Sequence, residues 1–317
     1  MDTLDVRLLR ALGTRPFMER PRDPDMAKPT VLARRLGVTR NTVRARLRAL
    51  EKTGVVAGYQ AVPNLRLLGL NVVVLHAEVG DEARKTAWLQ DLGRVEGIRS
   101  LGEFMGRHVC FELYSSNPEE HRRRLEFACR TLGADRAQVV EESPMPAPSR
   151  APTSLDWRII HALRGQATRP LAGLARSLKV SSRTVRRHYE ALVRDGLLDV
   201  VAVLDPSRIP SAIPVNLFFS FEAARTDHVA RRILAAFADR NLFAHVPPDP
   251  HFGHLGMQSF ATSAADMEEM RQRGAAIPGV LMVQIMLNTH PPPDEAWLDE
   301  AVARMAGVAL AAQTLAA

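Results

Sequence analysis

One pattern is written twice in this chain, and that repeat constrains its fold more than any other feature. Leu32-Ala33-Arg34-Arg35-Leu36-Gly37-Val38-Thr39-Arg40-Asn41-Thr42-Val43-Arg44 returns as Leu174-Ala175-Arg176-Ser177-Leu178-Lys179-Val180-Ser181-Ser182-Arg183-Thr184-Val185-Arg186. Each copy reads as a short helix, a tight turn and a second helix loaded with arginine. That arrangement presents one helix to the major groove of duplex DNA. Two copies in one polypeptide are built to act as a pair, and they set the period for everything between them.

The repeat reaches beyond the helices. Leu4-Asp5-Val6-Arg7-Leu8-Leu9 matches Leu155-Asp156-Trp157-Arg158-Ile159-Ile160, so a further helix precedes each unit. The first copy carries nine extra residues, placed within Pro16 to Asp25. Proline there forbids helix, and the 16–30 segment is expected to be a loop that acts as a spacer. Gly54 and Gly196 stop the arginine helices. The β-rich runs after them, 55–62 and 197–203, are each expected to fold back as the hairpin wing of a winged helix. The remainder of each half then follows a βαββαβ order, closing at Ala137–Val140 and at Val280–Met286, which is the ferredoxin-like split βαβ.

The expected fold class is therefore α+β, with two winged helix-turn-helix domains (1–63 and 154–205) alternating with two ferredoxin-like domains (64–143 and 206–291). A proline-rich linker, 144–153, joins the halves, and a C-terminal helix lies in 292–317.

Charge placement supports the same reading. The chain carries +7 overall. Residues 31–60 hold seven basic residues against Glu51 alone, and 172–198 hold six against two acids, so the rest of the chain is slightly acidic. Positive charge on the two reading units fits a phosphate-facing footprint. No apolar run approaches the ~20 residues that span a bilayer, so no membrane partner is expected. The acidic N-terminus lacks a secretory pattern, and two cysteines without C-x-x-C spacing suit a reduced, cytoplasmic protein.

Within the first arginine helix, Val43, Leu47 and Leu50 form one apolar stripe, and Thr39 stands at the N-cap. The opposite face offers Arg40, Asn41, Arg44 and Arg48, with Thr42 and Arg46 beside them. Arginine forks onto guanine or phosphate, and asparagine onto adenine. The second copy caps with Ser181, buries Val185, Tyr189 and Leu192, and offers Ser182, Arg183, Thr184, Arg186 and Arg187. Because the two faces differ, a site read by both copies need not be a perfect palindrome.

These residues resemble a known family. Leu4-Asp5, Leu32-Ala33, Val38-Thr39, Thr42-Val43, Arg46-Leu47, Leu50-Glu51, the run Gly54-Val55-Val56-Ala57-Gly58-Tyr59 and Leu68-Gly69 look like the Lrp/AsnC, or feast/famine, regulators. The resemblance covers the chain twice. It implies a sequence-specific transcriptional regulator whose partner is double-stranded DNA. Its ferredoxin-like domains would dimerise, here within one chain as a pseudo-dimer, with a homodimer or larger assembly built on that. The second copy departs from the family, with His188 in the place matching Arg46 and Asp199-Val200-Val201 in place of the glycine-tyrosine exit.

The family's effector turn, Gly-x-x-Asp, corresponds to Gly106-Arg107-His108-Val109 and Gly253-His254-Leu255-Gly256, both without the aspartate. Gly106, Arg107, His108, Gly253 and His254 are therefore the candidate effector residues. Either they take a different small molecule, or the domain only assembles. The rival class is the siroheme decarboxylases of the same fold, for which His245, His251 and His254 cluster suitably. The tryptophan-proline-tyrosine-asparagine run associated with those enzymes is absent, and arginine is abundant on the reading helices. The expectation is thus a protein that is not an enzyme, with no catalytic residues and no cofactor. No metal is expected either, because His251 and His254 lack a companion at ligand spacing.

Overall fold

The computed structural model describes residues 1–12, 28–135, 137–143, 145, 147–164, 166–222, 226–245, 253–287 and 296–307. The loop expected at 16–30 therefore falls almost wholly outside the described residues.

The first head is built from α1 (Thr3–Leu12), α2 (Pro29–Leu36) and α3 (Arg40–Thr53). Pro29 suits the first turn of α2, where a missing N–H costs nothing. Gly37 and Gly54 close α2 and α3 in the left-handed conformation, at φ 70° and 80°. After β1 (Val56–Pro63) come β2 (Asn71–Glu78), α4 (Lys85–Gly93), β3 (Ile98–Glu103), β4 (His108–Ser115), α5 (Pro118–Leu132) and β5 (Ala137–Ser143). The second half repeats this order. Its head is α6 (Ser154–Arg164), α7 (Leu171–Leu178) and α8 (Ser182–Arg194), followed by β6 (Leu198–Leu204). Then follow β7 (Ile213–Phe221), α9 (Thr226–Ala236), β8 (Phe243–His245), β9 (His254–Ala261), α10 (Ala264–Ala275) and β10 (Val280–Leu287). A last helix, α11 (Ala296–Met305), packs on α6.

The two four-stranded sheets share one topology, β3-β4-β2-β5 and β8-β9-β7-β10. In each, the residues on one face are covered by the two helices. Leu75, Phe111 and Leu113 meet Leu89, Leu92 and Leu132, while Leu217, Phe219 and Met257 meet Ile233 and Met270. Fully buried phenylalanines such as Phe111 and Phe219 each contribute about 1.5–3 kcal/mol of burial free energy. On the opposite faces the sheets meet one another. Val74, Phe104 and Cys110 share a cluster with Phe218 and Met286, and the Met105 amide donates to the Leu287 carbonyl at 3.1 Å.

The expected hairpin wings do not form. Each arginine helix is followed by a single strand, and the two strands pair antiparallel with each other. Tyr59 faces Ala202 and Gln60 faces Val201. These residues are equivalents under the repeat, so a pseudo-twofold axis passes between the two pairs. Pairing across the halves satisfies the strands' amides and carbonyls, which a lone strand would leave open.

The heads also cross over. The cluster containing Leu8, Leu32 and Val43 of the first head takes in Leu242 and Phe260 from the second ferredoxin-like domain. The second head, around Trp157, Leu174 and Val185, packs with Leu65, Val72 and Tyr114 of the first. One chain thus builds an exchanged pseudo-dimer.

Candidate nucleic-acid interface and the seam between sheets

Both reading helices start on a side-chain cap. Thr39 Oγ1 accepts the Thr42 amide, and Ser181 Oγ accepts the Thr184 amide, each at 3.1 Å. The Thr42 and Thr184 hydroxyls lie 2.9 and 2.8 Å from the capping oxygens, so they are held locally as part of the cap. Val43, Leu47 and Leu50 are buried beneath α3; beneath α8 the buried set is Val185, Leu192 and Val193, with Tyr189 half-buried. This leaves Arg40, Asn41, Arg44 and Arg48 exposed on α3, and Ser182, Arg183, Arg186 and Arg187 exposed on α8. Arg186 lies 3.7 Å from Glu190 one turn on, a pairing for which α3 offers no acid, since Arg48 stands in the matching place.

Arg46 stands apart from the exposed set. Its guanidinium reaches back to α1, 2.8 Å from Asp2 and 3.3 Å from Asp5. The second copy solves the same problem with different residues. His188 Nδ1 lies 2.8 Å from Asp156 Oδ1, and Arg150 from the linker lies 2.7 Å from Oδ2. The Thr153 amide also donates to Asp156. Burial alone would raise the Asp156 carboxyl, but the hydrogen bonds from Arg150, Thr153 and His188 prevail and hold it down to about 2. Arg46 and His188 are thus equivalent clamps between first and third helices. A pattern of arginines along a helix does not distinguish such a clamp from a DNA-facing group.

The candidate effector turn is internally satisfied. Lys85, which is buried, donates to the carbonyls of Phe104 and Gly106 at 2.5 and 2.6 Å and lies 3.6 Å from Glu103. Arg107 Nε donates to the Val79 carbonyl at 2.6 Å. Lys85 was not legible as a turn residue, since it sits 21 positions before Gly106 on a different element. His108 is placed elsewhere, on the face where the sheets meet, stacked on His76 with ring centroids 5.1 Å apart. His76 Nε2 and His108 Nδ1 have no hydrogen-bond partner among the described residues. Burial, then the neighbouring His108, pushes His76 down to about 4 against the opposing pull of Glu78. In the second half the Gly253 carbonyl accepts the Phe221 amide at 2.7 Å, and His254 opens β9 opposite Ser220. His251 and the side chain of His245 lie outside the described residues, and with them the histidine cluster expected there. Among the described residues no three His, Cys, Asp or Glu side chains converge on a metal-sized site, and no helix is long and apolar enough to cross a membrane.

Two helix-turn-helix heads exchanged over facing ferredoxin-like sheets define the class of fold. The family described as winged helix-turn-helix DNA-binding matches the sequence twice, over residues 22–57 and 153–199. Over its whole length the chain is similar to the crystal structure of the siroheme decarboxylase NirDL. That likeness has 16% identity and a TM-score of 0.57, covering 96% of this chain and 99% of that one. NirDL in complex with an iron-uroporphyrin III analogue matches alike, at a TM-score of 0.54. AsnC from E. coli matches 45% of the chain at 18% identity, covering 95% of its own length with a TM-score of 0.36. A search of curated proteins finds no significant match. At 16% identity the likeness to NirDL is one of fold. It comes with one correction: the expectation of a protein that is not an enzyme is overturned, because the fold matched from end to end is that of a decarboxylase.

Proposed function

We propose that the chain is a transcriptional regulator that reads double-stranded DNA with two unlike heads. The observation that carries this is the pseudo-twofold pairing of β1 with β6, directly after two capped helices whose exposed faces are arginine-rich. A twofold relation between reading helices suits inverted half-sites on one duplex. The faces differ where Arg40-Asn41 stands against Ser182-Arg183, so the two half-sites differ and the operator has a direction. Selection of bound duplexes from a random pool will enrich paired, inverted and non-identical half-sites. Binding to the winner will weaken steeply with salt, as release of condensed counterions requires. Enrichment of no sequence, or affinity indifferent to salt, would overturn the proposal.

A second reading, chemistry on a tetrapyrrole, is supported by the whole-length likeness to NirDL together with the stacked His76 and His108 in the seam, whose Nε2 and Nδ1 make no hydrogen bond among the described residues. Those two imidazoles are the groups that would meet such a substrate as bases or ligands. Adding iron-uroporphyrin to the pure chain and following its absorption tests this. A spectral change lost in His76→Ala supports the reading, and an unchanged spectrum ends it.

A further inference from the structure

A wide, open surface depression of about 750 Å³ lies between the first head and the second ferredoxin-like domain. We infer that it is a binding site for a small polyhydroxylated acid, a sugar acid or sugar phosphate, and that it regulates the first reading helix. The regulatory part rests on the DNA-reading proposal, whereas the site itself does not.

Its charged lining group is Arg208. The Arg208 Nε donates to Asp205 at 3.3 Å, which leaves the terminal nitrogens of the fork available to a carboxylate or phosphate. Of the four hydroxyls lining the depression, three, all but Ser211, have already committed their protons inward. Thr53 donates to the Leu50 carbonyl, Ser207 to Asp205 and Thr262 to Asp266. Each of these three oxygens therefore meets a ligand only as an acceptor, which favours a ligand that brings donors of its own. An acid carrying several hydroxyls supplies both halves of that chemistry.

The pseudo-symmetry explains why the space exists. Ile209, Pro210 and Ala212 line it, and the residues 142 positions earlier are Leu67, Leu68 and Leu70. Those leucines share an apolar cluster with Met145 of the linker and with Trp297 and Leu298 of α11. One junction between head and sheet is covered by the linker and α11; at its equivalent Ile209 and Ala212 pack into the first head's cluster, while Pro210 and the Arg208 side chain border the open space. Thr53 is the last residue of α3, and the Arg208 side chain lies 3.5 Å from where a Cβ on Gly54 would stand. A ligand held by Arg208, Thr53 and Thr262 would tie the reading helix to the far domain. Its affinity and that for DNA would then be linked reciprocally.

Calorimetric titration of the full chain with D-gluconate, glucose 6-phosphate and neutral D-glucose tests the site. We expect at least one acid to bind, D-glucose not to bind, and Arg208→Met, a change at an exposed side chain, to weaken the acid at least 10-fold. Gluconate alone would assign a carboxylate ligand and glucose 6-phosphate alone a phosphate. Silence from both acids, or equal binding to wild type and Arg208→Met, would sink the site. Repeating the DNA titration with bound acid reads the coupling; unchanged DNA affinity overturns the regulatory half. Because the calorimetry contains no DNA, failure of the site and failure of the DNA reading are separately visible.

Discussion

Replacing Arg40, Arg44 and Arg48 together by alanine will lower affinity for the selected operator by at least about 100-fold while leaving the fold intact. The three side chains are exposed and, among the described residues, none is paired across to a neighbouring element, so on the DNA-reading proposal their loss removes contacts with DNA and little else. A side chain forked onto a base edge is worth about 1–3 kcal/mol, and each arginine taken off a phosphate reduces the salt slope by about one. The single change Arg44→Ala will do part of this, and its counterpart Arg186→Ala will do less, because Arg186 already shares its charge with Glu190 at 3.7 Å. Arg46→Ala separates the two roles. That side chain is held by Asp2 and Asp5, so its loss will loosen the first head more than it weakens the salt-dependent grip on DNA. Fluorescence anisotropy across a salt series, with circular dichroism on the same samples, measures both. A triple variant that binds like the wild type would show that DNA is not read by this face.

The largest stability effect is expected at Asp156. Its side chain is fully buried and accepts from Arg150, His188 and the Thr153 amide. Asp156→Ala removes the buried acceptor shared by Arg150, His188 and the Thr153 amide, leaving Arg150 only Asp195 at 2.9 Å, and will cost about 3 kcal/mol, the lower end of the range for breaking a buried pair from one side. The equivalent Asp5→Ala will cost about 1 kcal/mol, since Arg46 is 39% exposed and 3.3 Å away. The pH dependence has a definite sign. The unfolded carboxyl takes up its proton near its ordinary value of 3.8, and the folded one only near about 2. Between those values the unfolded state binds more protons, so the contribution of about 2 kcal/mol is complete above pH ~4 and lost as pH falls toward 2. Denaturant titrations of wild type, Asp156→Asn and Asp156→Ala at pH 7 and pH 3 check this. A gap between wild type and Asp156→Asn that did not narrow on acidification would show that the charge is not what matters.

Much of this architecture could be read from spacing. The helix from Pro118 to Leu132 starts and stops on local signals, with proline at its start and glycine after its end. The caps Thr39 and Ser181 and the stripe Val43, Leu47, Leu50 were legible for the same reason. They depend on residues within one or two turns of each other. Arg46 was not legible. Its period puts it beside the exposed arginines, and only the packing of α1 against α3 reveals the carboxylates that claim it. The wings failed in a related way, since a β-rich run shows a strand but not which strand will pair with it.

The candidate site divides along the same line. Two helix-turn-helix units, each capped and basic and with unlike faces, could be read from the residues alone. Local periodicity and residue chemistry suffice for that. The exchange of the heads over each other's sheets and the meeting of β1 with β6 on a pseudo-twofold emerge only in three dimensions. So do the hydrogen bonds of Lys85 and Arg107 to the candidate effector turn and its surroundings, the stacking of His108 on His76 in the seam between the sheets, and the covering of one head–sheet junction by α11 while its twin borders an open depression. Each of these depends on groups separated by tens to hundreds of residues. Their interaction energies are set by which surfaces are left to bury once the local elements have formed.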